Sequence, residues 1–327
     1  MATATASLLP DKSELDAAAE VVYRTMQPTP QFPWPLLAER MGTEVWVKHE
    51  NHTPLGAFKV RGGLVYFDHV ARHRRDVAGV IAATRGNHGQ SVAFGAGKQG
   101  LPTTIVVPHG NSQEKNRAMV GLGAELIEHG DDFQASLEYA RGLAEERALH
   151  MVGSFHRLLV AGVATYGVEF FTAVPDLDVV YVPIGLGSGI CATLAARDAL
   201  GSKAEVVGVV STLAPAYAES LAARRSVECP ATTCLADGMA CRTPHPEALD
   251  ILWQKLDRIV QVSDEQVGEA MMTLFECTHN VAEGAGAASF AAAYAERDRL
   301  AGQKVGVVLT GGNVDRQIFA GVLQGNY

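Results

Sequence analysis

Short runs of β-branched and apolar residues alternate along the chain with longer stretches rich in Ala, Leu and Glu. The runs EVWVKHE (44–50), VAGVIAAT (77–84), TTIVVP (103–108), AELIEHG (124–130), VVYVPIG (179–185), AEVVGVVS (204–211), RIVQVS (258–263) and KVGVVLTGG (304–312) predict strands. Between them, Phe58–Arg72, Gly89–Gly100, Gln113–Gly121, Asp132–Ala148, Gly189–Leu200, Asp264–Thr278 and Gly284–Arg299 predict helices. Strands that alternate with helices imply an α/β fold with mostly parallel sheets, because a parallel pair needs a crossover between its strands.

Length adds that one core is not enough. A chain of 327 residues exceeds the roughly 250–300 at which single cores stop growing, so two packed lobes with a cleft between them are expected. No internal repeat or low-complexity tract interrupts the pattern, and the Ala-rich stretch 285–295 predicts tight packing. The formal net charge of -9, with no block of Lys or Arg, argues against a nucleic-acid partner, which needs a basic face. Neither a basic-then-apolar export signal in MATATASLLPDKSELDAAAE nor a membrane-spanning apolar run is expected. The 5 cysteines, an odd number, predict free thiols in a reducing cytoplasm. Cys229, Cys234 and Cys241 have no zinc-ligand spacing. His49 and His52 flank a strand end with no third ligand in view, and are expected to be solvated or capping.

The candidate chemistry sits where strands end. In Pro54-Leu55-Gly56-Ala57-Phe58-Lys59-Val60-Arg61-Gly62-Gly63, a lysine opens a predicted helix. The helix dipole there disfavours a cation and lowers the amine's pKa, as a Schiff-base lysine requires; alone, the segment also fits an exposed lysine on an amphipathic helix. Thr84-Arg85-Gly86-Asn87-His88-Gly89-Gln90 follows a strand and opens another helix, a place where N–H groups grip a carboxylate or simply form a capped turn. The loop Gly185-Leu186-Gly187-Ser188-Gly189 lets backbone N–H groups close on a phosphate. A dinucleotide site is the rival for that loop, but the third glycine and the acidic residue about 20 positions on are not in place. Leu309-Thr310-Gly311-Gly312-Asn313 ends the last strand, where Thr310 offers a neutral hydroxyl.

Taken together and in this order, the four segments resemble the serine/threonine dehydratases of the fold-type II pyridoxal-phosphate enzymes, within the tryptophan synthase beta-like superfamily. The resemblance runs from Pro28 to Asp315 and extends to serine racemases and cysteine synthases. It implies two lobes, each a mostly parallel twisted sheet flanked by helices: a small substrate-loop lobe at 51–155 and a large cofactor-binding lobe from 1–50 with 156–327. It implies pyridoxal 5'-phosphate held on Lys59, which also removes and returns protons. Phe58 would pack beside the ring, Asn87 would bond the ring 3-oxygen, and Thr310 would meet the ring nitrogen. Gly185, Leu186, Gly187, Ser188 and Gly189 would hold the phosphate. Thr84, Arg85, Gly86, Asn87 and His88 would hold the substrate, with Glu283 in Ala282-Glu283-Gly284-Ala285 nearby. The implied reaction takes a β-hydroxy amino acid, whether threonine, serine, phenylserine or 3-hydroxyaspartate, to a 2-oxo acid and ammonia in a cytoplasmic homodimer.

Three departures from the family pattern change what is expected. Position 85 is small in dehydratases and a serine base in serine racemases, but here it is Arg85, a permanent cation that cannot act as a base, so racemisation is not expected. It would orient the substrate carboxylate, bind an acidic or aromatic β-substituent, or hold the loop through an ion pair. The segment Val210-Ser211-Thr212-Leu213-Ala214-Pro215 lacks the carboxylates of metal-dependent relatives, so no metal requirement is expected. The sequence ends at Tyr327, where biosynthetic threonine dehydratases continue into a regulatory domain, so feedback through such a domain is not expected. Two other functions remain: β-replacement of the cysteine synthase kind, and non-catalytic binding of the cofactor or an amino acid.

Overall fold

In the computed structural model, which describes residues 9–327, ten strands form two sheets. The strands are β1 (Gln31–Pro33), β2 (Val45–His49), β3 (Val80–Ala83), β4 (Thr103–Val107), β5 (Glu125–Glu128), β6 (His150–Met151), β7 (Val179–Pro183), β8 (Glu205–Ser211), β9 (Arg258–Val262) and β10 (Val305–Leu309). The six-stranded sheet has the order β1-β2-β10-β7-β8-β9, and the four-stranded sheet the order β5-β4-β3-β6. Every pairing is parallel except β1 with β2. The expectation for the chain start falls, over residues 1–8, outside the described residues. Among the described residues no helix is long and apolar enough to cross a membrane.

Both faces of the larger sheet are covered, which is why its strands read as unbroken apolar runs. Val180, Val182, Val206, Val210 and Val308 point into one core, while Val179, Tyr181, Val207, Val209, Val305 and Val307 point into the other. The smaller sheet divides in the same way, with Val80, Ala82, Ile105 and Val107 on one face and Ile81, Ala83 and Val106 on the opposite face.

All seven expected helices are present. Gln113–Gly121 and Asp264–Thr278 have the bounds read from sequence, whereas the helix expected at Gly89–Gly100 begins two residues earlier, at Asn87, and ends at Gly97. The 17-residue helix Arg157–Ala173 was not among the expected elements. Its sequence is apolar nearly all round because it is buried between other helices, so it lacks the one-sided period that marks a surface helix.

The helix Lys59–His73 is clamped in this core. A Cβ at Gly62 would lie 2.8 Å from the Leu159 carbonyl oxygen, so the helix crosses Arg157–Ala173 with backbones nearly touching. Arg61, fully buried, points the other way into a group of charges. Its guanidinium donates to both oxygens of Glu50 (2.7 and 2.9 Å) and both of Glu169 (2.6 and 3.0 Å). Lys48 Nζ adds a 2.5 Å contact to Glu169. Burial pushes the Glu169 carboxyl up, but Arg61 and Lys48 together hold it below the usual carboxylate value. Two cations and two carboxylates thus balance in a largely buried site.

Candidate active site

A cleft opens between the C-terminal ends of the two sheets, where ligands bind in open α/β folds. Thr84 to His88 follow β3, Gly185 to Gly189 follow β7, and Thr310 follows β10; all of these segments line the cleft together with Phe58, Lys59 and Glu283. Backbone bonds set the position of Lys59: Phe58 N donates to Thr310 O (3.0 Å) and Gly312 N to Gly56 O (2.9 Å), fastening the approach to Lys59 onto the end of β10. Lys59 is then the first residue of its helix.

The Lys59 amine lies 3.4 Å from Ser188 Oγ and 4.7 Å from the centre of the Phe58 ring. Burial lowers its pKa from 10.5 to about 8, partly opposed by the Glu283 charge. The glycine loop beneath it leads into the helix Ser188–Leu200. Gly187 sits at φ 99°, a left-handed backbone that favours glycine, and a Cβ there would meet Ala248 at 2.6 Å. The loop therefore presents backbone rather than side chains to the cleft, beside the unpaired N–H groups of a helix start.

Facing this loop, Thr84 Oγ1 accepts from Gly86 N (3.0 Å) and Gly89 N (3.3 Å), so its hydroxyl shapes the turn. Asn87 Nδ2 donates to Glu283 Oε1 at 2.6 Å, and Asn87 Oδ1 accepts from Asn313 Nδ2 at 2.8 Å. Burial raises the Glu283 pKa, against the pull of Lys115. Lys115 Nζ contacts Asp237 at 2.7 Å and Glu283 at 3.5 Å; burial would lower its pKa, but these carboxylates hold it above its ordinary value. Burial holds His88 neutral, with a pKa lowered to about 3.

All the residues that the sequence offered for the cofactor and the substrate thus line one cleft. Lys115, Asp237 and Arg242 also line it and were not anticipated. No local motif marks them; Asp237 and Arg242 come from the stretch 224–245, which holds only a short 3-10 turn, at Asp237–Met239. One expectation fails: His49 is fully buried, not solvated, because it closes the core under Trp34, whose Nε1 donates to His49 Nε2 at 3.0 Å. His52 is exposed, as expected. Among the described residues no group of three or more His, Cys, Asp and Glu is placed to hold a metal ion.

Comparison with known proteins agrees with this architecture. The family model described as pyridoxal-phosphate dependent enzyme matches residues 22–311. An L-threonine ammonia-lyase of Thermotoga maritima is 34% identical over 281 residues, covering 86% of this chain and 70% of that protein. An L-threo-3-hydroxyaspartate ammonia-lyase of Saccharomyces cerevisiae is 28% identical over 319 residues, covering 97% of this chain and 98% of that one. Among solved structures, a threonine deaminase from T.th. superposes with a TM-score of 0.86 at 29% identity, covering 94% of this chain and 99% of that chain. The chain belongs to the pyridoxal-phosphate dependent enzyme family, as a serine/threonine dehydratase-like lyase of fold type II.

The cleft fits that cofactor. Buried side-chain polar atoms without a hydrogen-bond partner are few among the described residues, and three of the four (Arg85 Nε, His88 Nε2 and Glu283 Oε2) belong to residues lining this cleft. Unsatisfied polar atoms gathered in one place mark a site shaped for a polar ligand. An enclosed amine of lowered pKa suits the cofactor's aldehyde, and a glycine loop at a helix start suits its phosphate.

Proposed function

We propose that the protein is an ammonia-lyase that takes a β-hydroxy amino acid, of the serine, threonine, phenylserine or 3-hydroxyaspartate type, to a 2-oxo acid and ammonia. The observation that carries this reading is the Lys59 amine, enclosed and lowered to about 8, at the meeting point of the glycine loop and the Thr84–His88 loop. In this reading residues 51–155 form the smaller lobe and 1–50 with 156–327 the larger. Lys59 holds the cofactor, Gly185 to Gly189 receive its phosphate, Phe58 and Asn87 flank its ring, and Thr310 offers the ring nitrogen a neutral hydroxyl. The bound cofactor supplies an electron-withdrawing ring that acidifies the substrate's Cα–H bond.

The chain's own groups do the rest. Thr84 fixes the turn whose helix-start N–H groups receive the substrate carboxylate. Lys59 Nζ takes the Cα proton as the Cβ–O bond breaks, and the hydroxyl leaves with a proton as water. The released enamine tautomerises and is hydrolysed by water to the 2-oxo acid and ammonia. Arg85, a permanent cation, cannot return a proton to the opposite face of Cα. The free cysteines accord with a cytoplasmic setting, and a two-fold homodimer completes the reading.

The protein incubated with L-serine should yield pyruvate and ammonia in equal amounts and no D-serine. Racemisation at a rate comparable with elimination, or a sulfur-containing amino acid formed on adding sulfide in place of ammonia, would contradict it.

A pH dependence follows from Lys59. Its neutral amine attaches the cofactor, and the neutral fraction grows as pH rises through about 8. Loading of the cofactor-free protein, followed by absorbance, should therefore speed up about tenfold per pH unit on the acid side and level off above. A rise that continues at about tenfold per unit past pH 9 without levelling would mean that the amine is not depressed.

A further inference from the structure

Arg85 stands apart from the other charges in the cleft. The ammonium of Lys115 is matched by Asp237 and Glu283, and the guanidinium of Arg242 lies 3.5 Å from Asp132. These carboxylates line the cleft and each is engaged with a cation. Arg85 has no carboxylate partner among the described residues, and its Nε is shut off from solvent with no hydrogen-bond acceptor. An ion pair that merely holds the loop is therefore absent. Arg85 is only partly buried, but its Nε has lost water without gaining a partner, and a ligand anion would relieve that cost.

The substrate's α-carboxylate already has donors elsewhere. Thr84 Oγ1 occupies the N–H groups of Gly86 and Gly89, leaving those of Asn87 and His88 at the first turn of the helix Asn87–Gly97 to receive a carboxylate. Arg85 is on the same loop, so its fork of N–H groups is available to a second anionic group on the same small molecule. The fork matches a carboxylate in two parallel bonds.

We propose that Arg85 binds a carboxylate on the β-carbon, so that the substrate is a dicarboxylic β-hydroxy amino acid of the 3-hydroxyaspartate class. The assignment rests on the ammonia-lyase reading above and narrows it. The chemistry balances without a further reactant: the Cα proton and the β-hydroxyl leave as water, water then hydrolyses the imine, and the products are oxaloacetate and ammonia.

The test compares the holoenzyme with Arg85→Gln and Arg85→Lys. Values of kcat/KM are measured for L-threo-3-hydroxyaspartate, L-serine, L-threonine and L-threo-phenylserine, and binding of succinate and butyrate is followed by calorimetry. Two charge-assisted bonds are lost, so Arg85→Gln should cost about 100-fold on 3-hydroxyaspartate, at least about tenfold more than on the three monocarboxylic substrates. Arg85→Lys should recover part of that loss, and succinate should bind the wild type more tightly than butyrate, a preference removed in Arg85→Gln. Equal losses on all four substrates would overturn the proposal and assign Arg85 to the α-carboxylate. Turnover of serine and threonine without 3-hydroxyaspartate would overturn it too. Failure of the broader reading is a different result, namely no 2-oxo acid from any amino acid; the succinate titration then still decides what Arg85 binds.

Discussion

Lys59→Ala will release 2-oxo acid at least about 10³-fold more slowly than the wild type and will lack the visible band of a covalently attached cofactor. Both losses follow from one atom. Nζ is the amine that opens into the cleft beside the glycine loop, 3.4 Å from Ser188 Oγ, and it both attaches the cofactor and moves the Cα proton. The remaining cations of the cleft cannot replace it. Lys115 is tied to Asp237 and Glu283 and held protonated, and Arg85 and Arg242 are permanent cations. The substitution should leave the fold intact, because alanine is a strong helix former and burying the ammonium is itself costly. A far-UV spectrum like that of the wild type, alongside the lost band, would separate chemistry from misfolding. Retention of a tenth or more of the activity would remove Lys59 from the centre of the mechanism.

The second large effect is on stability. Arg61→Leu will destabilise the protein by about 3–5 kcal/mol, because it leaves Glu50 and Glu169 buried with only Lys48 to balance them. Removing one partner of a buried ion pair costs more than the pair contributes, so a neutral double replacement should be milder. Arg61→Leu combined with Glu50→Leu keeps Lys48 and Glu169 as a matched pair, and should recover part of the loss in a denaturant titration. A cost for Arg61→Leu below about 1 kcal/mol, or a double variant worse than the sum of the two singles, would show that the buried charges are not coupled in this way. Arg61 does not line the cleft, so its influence on Lys59 passes through the position of the helix they share.

Much of this was legible in the chain because parallel strands covered on both faces leave long apolar runs, and because the chemistry sits at strand ends marked by glycine. The eight expected strands and the loops at Lys59, Thr84, Gly185 and Thr310 show that plainly. The two strands without a counterpart, β1 and β6, are three and two residues long. β1 follows one proline and ends in another, in Pro30-Gln31-Phe32-Pro33, a composition that argues against a central strand and suits the antiparallel edge it occupies. The helix Arg157–Ala173 was hidden by its own burial. Pairings across the cleft were hidden for a different reason: Lys115 meets Asp237 over a separation of 122 residues, and Asn87 meets Glu283 over 196. Sequence spacing carries no trace of such contacts. For Arg85 the sequence raised both an ion pair and an anionic substrate group, and only the three-dimensional inventory of carboxylates separates them.

The most direct test of the central claim is an absorbance spectrum of the purified protein, recorded before and after adding each β-hydroxy amino acid while 2-oxo acid is assayed. The account predicts a visible band of lysine-bound pyridoxal phosphate that is absent in Lys59→Ala, perturbed by substrate and accompanied by release of 2-oxo acid and ammonia. A protein that gains no such band with excess pyridoxal phosphate, or that keeps it unchanged with every substrate and forms no 2-oxo acid, would contradict the account.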